Sequence, residues 1–306
     1  MILGIDTSCY TTSLALVNQE GRLLCDFRRP LSVPTGERGL RQSDGVFAHV
    51  RNLPELMEEL FAHEGVGKTQ VKAIAVSGKP RPVDGSYMPV FQAGLSLARS
   101  LGSVLQVPVR VFSHQEGHIQ AALWSINANF DEPFIACHLS GGTGEVLLVQ
   151  PNSQNGGYTV DVLGSADLPP GQFVDRIAQA MDLPFPGGIH LDTLADLVIE
   201  KNFRLPRSVK EADMSFSGPC SAAVRGIKQG VAKGEIAAAV FDCIGKSLHK
   251  AIDNARRISG IRQVLLMGGV ASSRNLRNFL ARDDVLFGEA KMCGDNAVGI
   301  ALLGRN

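Results

Sequence analysis

Residues 114–118 read His-Gln-Glu-Gly-His. On a helix, imidazoles four positions apart lie on one face, one turn above the other, which is how a helix offers two nitrogen ligands to a single metal ion. The same spacing also fits an ordinary surface or core feature, so the pair alone leaves both readings open. Zinc peptidases with this spacing carry a general-base Glu directly after the first His or directly before the second. Here those positions hold Gln115 and Gly117, and Glu116 falls off the ligand face. A Lewis-acid or structural metal is therefore better supported than peptide hydrolysis.

The pair must be carried by a helix that follows the apolar stretch Val109–Phe112, read as a strand. Around it the chain repeats a plan. Ile2–Ile5 is a short apolar run, followed by the small polar turn Asp6-Thr7-Ser8-Cys9, the run Thr12–Val17 and a third β-like stretch near Arg22–Phe27. Phe134–Leu139, the turn Ser140-Gly141-Gly142-Thr143-Gly144, Val146–Val149 and a stretch near Tyr158–Leu163 follow the same order. Two hairpins built alike point to two similar lobes. Their Gly, Ser and Thr tips expose amides and hydroxyls that suit phosphate oxygens, although such residues also make ordinary hairpin turns.

Further along, Val264–Met267 runs into Gly268-Gly269-Val270-Ala271 and then into a helix starting near Ser273 that carries Leu276, Phe279 and Leu280. A strand, a glycine pair and a helix allow close approach of a flat ligand, or simply a tight turn. Ala73–Ser77 reads as a buried strand and Val90–Leu105 as a helix; Ile236, Val240, Ile244, Leu248 and Ile252 mark a long core-facing helix over Ile236–Ala255. His249, His49 and His63, the last two near predicted helix surfaces, read as packing residues rather than ligands. The proline-rich loop from Gly78 to Gly85 fits a substrate loop or an exposed connection equally.

The 306 residues suffice for one large or two medium domains with a substantial core. Lys plus Arg and Asp plus Glu both number 30, so no global field draws the chain to nucleic acid or an anionic membrane; tRNA contact would need a local patch or a partner. The six cysteines form no Cys-x-x-Cys pair, which suits reduced thiols in a cytoplasmic protein. No signal-peptide pattern and no bilayer-length apolar run is expected.

Taken together, the two hairpins, the later Gly-Gly turn and the His pair resemble the TsaD/Kae/Gcp family, which makes threonylcarbamoyladenosine on tRNA and was formerly labelled an O-sialoglycoprotein endopeptidase. The matching segments are Gly4-Ile5-Asp6-Thr7-Ser8-Cys9, Ser113–His118, Ser140-Gly141-Gly142, Phe185-Pro186-Gly187-Gly188, Phe216-Ser217-Gly218, Gly268-Gly269-Val270-Ala271 and Cys293-Gly294-Asp295-Asn296-Ala297. The resemblance implies an α/β, two-lobed actin/Hsp70/sugar-kinase-like fold with duplicated mixed-sheet subdomains. Its expected lobes are 1–128, completed by 292–306, and 129–291. It implies one divalent metal, zinc or iron, on His114, His118 and Asp295, with His138 as a further ligand or as an inward packing residue. It also implies an adenine nucleotide or acyl-adenylate along Ser140, Gly141, Gly142, Thr143, Gly268, Gly269 and Ser273, with Asp175 and Gly188 on the sugar or base side. A TsaB-like or TsaD-like protein partner is a further implication.

The departures cluster at the site. Where family transferases carry an acidic pair after Thr-Ser-Cys, this chain has Tyr10-Thr11. The Ser-Gly-Gly turn continues as Thr143-Gly144-Glu145 rather than His-Thr-Gln or Asn-Thr-Gln, and a carboxylate beside a phosphate cradle repels a triphosphate. The family's Lys after the Phe-Ser-Gly segment is Cys220, its Asn after the glycine turn is Ser273, and its Gly-Pro-Gly loop is Lys79-Pro80-Arg81-Pro82. Tyr10, Thr11 or Glu145 would have to replace the missing acids. The leading reading is a metal-dependent threonylcarbamoyl or carbamoyl transferase; the competing ones are a catalytically altered scaffold and a carbamoyl transferase with a small-molecule acceptor.

Overall fold

The computed structural model describes residues 1–8, 10–32, 40–63, 66, 70–154, 156–198, 202–282 and 284–305. Cys9, in the first hairpin turn, lies outside the described residues. The first half of the chain forms β1 (Ile2–Ser8), β2 (Thr11–Val17), β3 (Leu23–Pro30), α1 (Gln42–Ala62), β4 (Ala73–Lys79), α2 (Phe91–Leu105), β5 (Val109–Ser113) and α3 (His114–Ser125). There follow β6 (Phe134–Leu139), β7 (Gly144–Asn152), β8 (Gly157–Ser165), α4 (Pro170–Ala180), α5 (Gly188–Asp196), β9 (Ser208–Lys210), β10 (Asp213–Ser215), α6 (Ser217–Lys228) and α7 (Lys233–Ser259). The last elements are β11 (Val264–Met267), α8 (Arg274–Leu280), β12 (Val285–Phe287), α9 (Ala290–Cys293) and α10 (Val298–Leu303).

The internal repeat is a repeat of topology. One five-stranded sheet has the order β3-β2-β1-β4-β5 and the other, read from the opposite edge, β8-β7-β6-β11-β12. In each, the first strand pairs antiparallel with its hairpin partner (β1 with β2, β6 with β7) and parallel with a strand reached by a helical crossover (β4, β11). Strands β1 and β6 are buried along their whole length, as central strands covered on both faces must be.

The contacts group the chain into one unit of Met1–Asn129, Pro151–Thr159 and Gly294–Asn306, and a second of Phe130–Gln150 and Val160–Cys293. Residues 151–159, which the hairpin pattern puts with the second lobe, group with the first because Tyr158 is tied to α3: its amide donates to Glu116 Oε1 (3.1 Å) and its hydroxyl to Gln120 Oε1 (2.7 Å).

One local expectation needs correction. His49 is not near a helix surface but fully buried on the core face of α1 with Leu53, Leu56 and Leu60. Its Nε2–H donates to the Ser8 carbonyl (2.8 Å), so Nδ1 accepts from the Thr12 hydroxyl (2.8 Å); burial lowers its pKa and keeps it neutral. The helix expected near Ser273 is present: a 3-10 turn, Gly269–Ser272, follows Gly268, and Ser273 caps α8.

Within the first unit, α10 packs on α3 at a point where side chains are excluded. A Cβ on Gly299 would overlap the Gly117 carbonyl oxygen and lie 2.8 Å from the Ala121 amide. Both obstructions are backbone, which cannot swing aside. Gly299→Ala is therefore expected to cost at least the ~1–3 kcal/mol typical of overpacking, whereas Gly218→Ala, in open space on α6, should leave stability nearly unchanged. Urea midpoints of the two variants check this; equal midpoints would contradict it.

Candidate metal centre and glycine-turn cavity

Strand β5 passes into α3 without a loop, and the junction is fixed by a reciprocal cap. The Ser113 hydroxyl accepts from the Glu116 amide (3.2 Å), while Glu116 Oε2 accepts from the Ser113 amide (2.7 Å). The Glu that sits off the ligand face is thus the residue that starts the helix. This cap places His114 in the first turn and His118 one turn on, with their Nε2 atoms 3.0 Å apart. Asp295, which precedes α10, brings Oδ1 to 3.5 Å from His114 Nε2 and 3.4 Å from His118 Nε2. The three ligand atoms lie within 4.8 Å of one another, a span one ion can bridge.

Behind them sits Asp6 on β1, fully buried. Its Oδ1 accepts from His114 Nδ1 (3.0 Å) and from the Ser77 hydroxyl on β4, while Oδ2 is buried with no hydrogen-bond partner among the described residues. Two carboxylates facing two imidazoles make a site short of positive charge. Burial alone would push His114 down, but Asp6 and Asp295 outweigh it and hold the imidazole pKa well above its ordinary value. Burial and the His114 charge push His118 down. Burial would raise Asp295, yet the hydrogen bonds from His114 and His118 hold it well below the usual carboxylate range. The donor set and the unsatisfied Asp6 oxygen fit a cation.

The remaining predicted site residues are distributed over both units. His138, on β6 of the second unit, pairs directly across the sheet with Glu145 on β7, so both side chains share one face, and both are buried. The triad itself is drawn from the first unit alone. Thr11 opens β2, and Tyr10 is exposed, its carbonyl accepting from the Leu31 amide (2.8 Å).

Within the second unit a cavity of about 500 Å³ is lined by Gly141, Asp175, Gly188, Gly269 and Ser273, all read from the sequence as nucleotide contacts. It lies by the turns that end β6 and β11, parallel neighbours, and in open α/β sheets such carboxyl ends are where ligands bind. Gly268 is required at its turn: φ is 90°, and a Cβ there would meet His138 Cδ2 at 2.9 Å. Ser140, Gly142 and Thr143 do not line it but close their own turn, the Ser140 hydroxyl accepting from the Thr143 (3.0 Å) and Gly142 (3.3 Å) amides. Burial raises the Asp175 pKa against a hydrogen bond from the Gly187 amide. The sequence reading missed Asp192, which lines the cavity and accepts from the Ser273 hydroxyl (2.6 Å) and the Arg274 amide (2.9 Å). Ser273 is thereby committed to the start of α8.

Two sheets of one topology, each with a glycine or serine turn at its central strand, define the two-lobed fold shared by actin, Hsp70 and sugar kinases. In agreement, the chain is similar to a ROK family glucokinase from Streptomyces griseus in complex with glucose and AMPPNP, with a TM-score of 0.53, 14% identity and 99% of each chain covered. The family model for TsaD, tRNA N6-adenosine threonylcarbamoyltransferase, matches residues 44–302, and the chain belongs to that family. Relatives named tRNA N6-adenosine threonylcarbamoyltransferase include those of Bacillus licheniformis, 30% identical over 99% of this chain and 90% of the relative, and of Methanopyrus kandleri, 28% identical over 99% and 86%. No helix among the described residues is long and apolar enough to cross a membrane.

The shifted values set the pH response of the chelator-treated protein. His114, raised, contributes stability that is fully present below about pH 6.5 and is lost as pH climbs through its folded value. Asp295, depressed, contributes above about pH 4 and loses that contribution as pH falls through its folded value. His118, lowered, works against folding once the unfolded chain takes up the proton that the folded site refuses. Denaturation of the wild type should show an alkaline loss of stability that His114→Gln lacks; the same loss in both would contradict the assignment.

Proposed function

We propose that this chain is a metal-dependent transferase that moves a threonylcarbamoyl group from an adenylate to an adenosine of tRNA. The observation that carries the reading is the convergence of His114 Nε2, His118 Nε2 and Asp295 Oδ1 in a chain of this family. These three residues would hold the ion, which when bound supplies Lewis-acid polarisation of the acyl carbonyl. The amine of the acceptor adenosine forms the new C–N bond to the carbamoyl carbon and gives up a proton to water, while the bond from that carbon to the phosphate oxygen breaks and AMP leaves with its electron pair. The cavity bounded by Gly141, Asp175, Gly188 and Gly269 is proposed to bind the adenylate's nucleoside part, and the AMPPNP named with the similar glucokinase supports an adenine nucleotide on this fold. With 30 basic and 30 acidic residues, tRNA contact would rest on a local patch or on a partner of TsaB-like or TsaD-like kind.

A second reading, a scaffold that kept metal and nucleotide but lost turnover, is favoured by Tyr10-Thr11. An exposed phenol stands where family transferases carry acids, and a lost group that orients or deprotonates an attacking amine is typically worth about a hundred to ten thousand in rate.

Elemental analysis of the purified protein is expected to find about one transition-metal ion per chain and markedly less in His118→Ala; equal contents would sink the ligand assignment. In cells lacking the tRNA-modifying transferase, the wild-type chain should complement poorly and Tyr10→Asp with Thr11→Glu better. Full complementation by the wild type would show that the lost acids are dispensable, and failure of both would favour the scaffold.

A further inference from the structure

We propose that Asp6 is a positioning residue of the metal centre: braced by Ser77, its carboxylate takes the Nδ1 proton of His114 in a hydrogen bond and so fixes the ring in the tautomer and orientation that present Nε2 to the ion. This rests on the metal reading above and deepens it.

The geometry has three parts. Asp6 comes from β1 and Ser77 from β4, adjacent parallel strands of the first sheet with β1 at its centre, so the carboxylate is held by the sheet rather than by a loop. Its Oδ1 lies 3.0 Å from His114 Nδ1, while the other ring nitrogen faces His118 Nε2 at 3.0 Å and Asp295 Oδ1 at 3.5 Å. A carboxylate only accepts, so the Nδ1 proton points at Asp6, and in the neutral ring the lone pair is left on Nε2, aimed at the other two ligand atoms. A ring with the opposite tautomer would turn an N–H toward the ion. The third part is the unpartnered, buried Asp6 Oδ2. A carboxylate kept in that state is costly unless positive charge sits near it, which an ion on His114 would provide. A Ser-braced acid behind a histidine ligand both orients the ring and raises its basicity, and loss of such a partner typically weakens metal binding by about ten- to a hundredfold.

The test uses zinc alone as probe. Zinc affinity of the full chain is measured by competition with a chromophoric chelator for wild type, Asp6→Asn and Ser77→Ala. The His114 Nδ1 proton is followed by NMR in the zinc-loaded proteins, with His114→Gln used to assign it. The wild type is expected to show a downfield, slowly exchanging Nδ1 proton. Asp6→Asn should lose about ten- to a hundredfold in affinity and move or broaden that signal, and Ser77→Ala, which keeps the charge but loosens the brace, should lose about a few-fold. A merely structural Asp6 would leave the proton signal in place. Asp6→Asn binding zinc as the wild type does, with the signal unchanged, overturns the proposal while leaving the metal reading intact. Should Asp6→Asn not fold, unchanged affinity and signal in Ser77→Ala overturn it. A wild type that takes up no zinc overturns the metal reading and this proposal together.

Discussion

The backbone contact between α3 and α10 is the constraint on which the metal centre depends. His114 and His118 lie on α3, and Asp295 lies three residues before α10, about 180 residues later in the chain. Only because Gly117 and Gly299 let the two backbones touch does the aspartate arrive beside the imidazoles. Gly117 falls between the two histidines in sequence. The residue that disqualifies the pentapeptide as a peptidase motif is therefore also the one that admits α10, since a Cβ on Gly117 would press on Ile300 at 2.8 Å. A Glu in that position would force the Ile300 side chain to give way at the α3–α10 contact.

Around this contact the buried polar groups form a continuous chain of hydrogen bonds. Ser77 holds Asp6, Asp6 holds His114, His114 meets His118 and Asp295, and the Ser113–Glu116 cap sets where α3 begins. Asp6 and Ser77 are anchored on central strands, His114 and His118 on the first two turns of α3, and Asp295 in the short connection between α9 and α10. Asp6 and Asp295 favour a proton on His114, and that proton would compete with the proposed ion for the same nitrogen lone pair.

Much of this was legible in the sequence for identifiable reasons. The duplicated order of apolar run, small polar turn and second run reflects two sheets of the same topology, because period, turn chemistry and burial all act locally. The His pair was legible because helical spacing alone puts both rings on one face. The role of Glu116 was also within reach, since Ser113 followed three residues later by Glu is the sequence form of a capping box. What local pattern could not supply was anything set by long-range packing. Asp6 reads as the first residue of a hairpin turn, and its meeting with His114 spans 108 positions. His49 reads as a helix-surface residue because its partners, Thr12 and the Ser8 carbonyl, come from another element. The pairing of Glu145 with His138 is likewise set by strand register.

In the proposed centre a single ion is held by two imidazoles from α3 and a carboxylate placed just ahead of α10, the helix packed against it. X-ray absorption spectroscopy of the zinc-loaded protein tests it most directly. Two imidazole nitrogens and at least one carboxylate oxygen are expected at about 2.0–2.2 Å, with the imidazole scattering reduced in His118→Ala. A first coordination sphere containing sulfur at about 2.3 Å, or one without imidazole scattering, would contradict it.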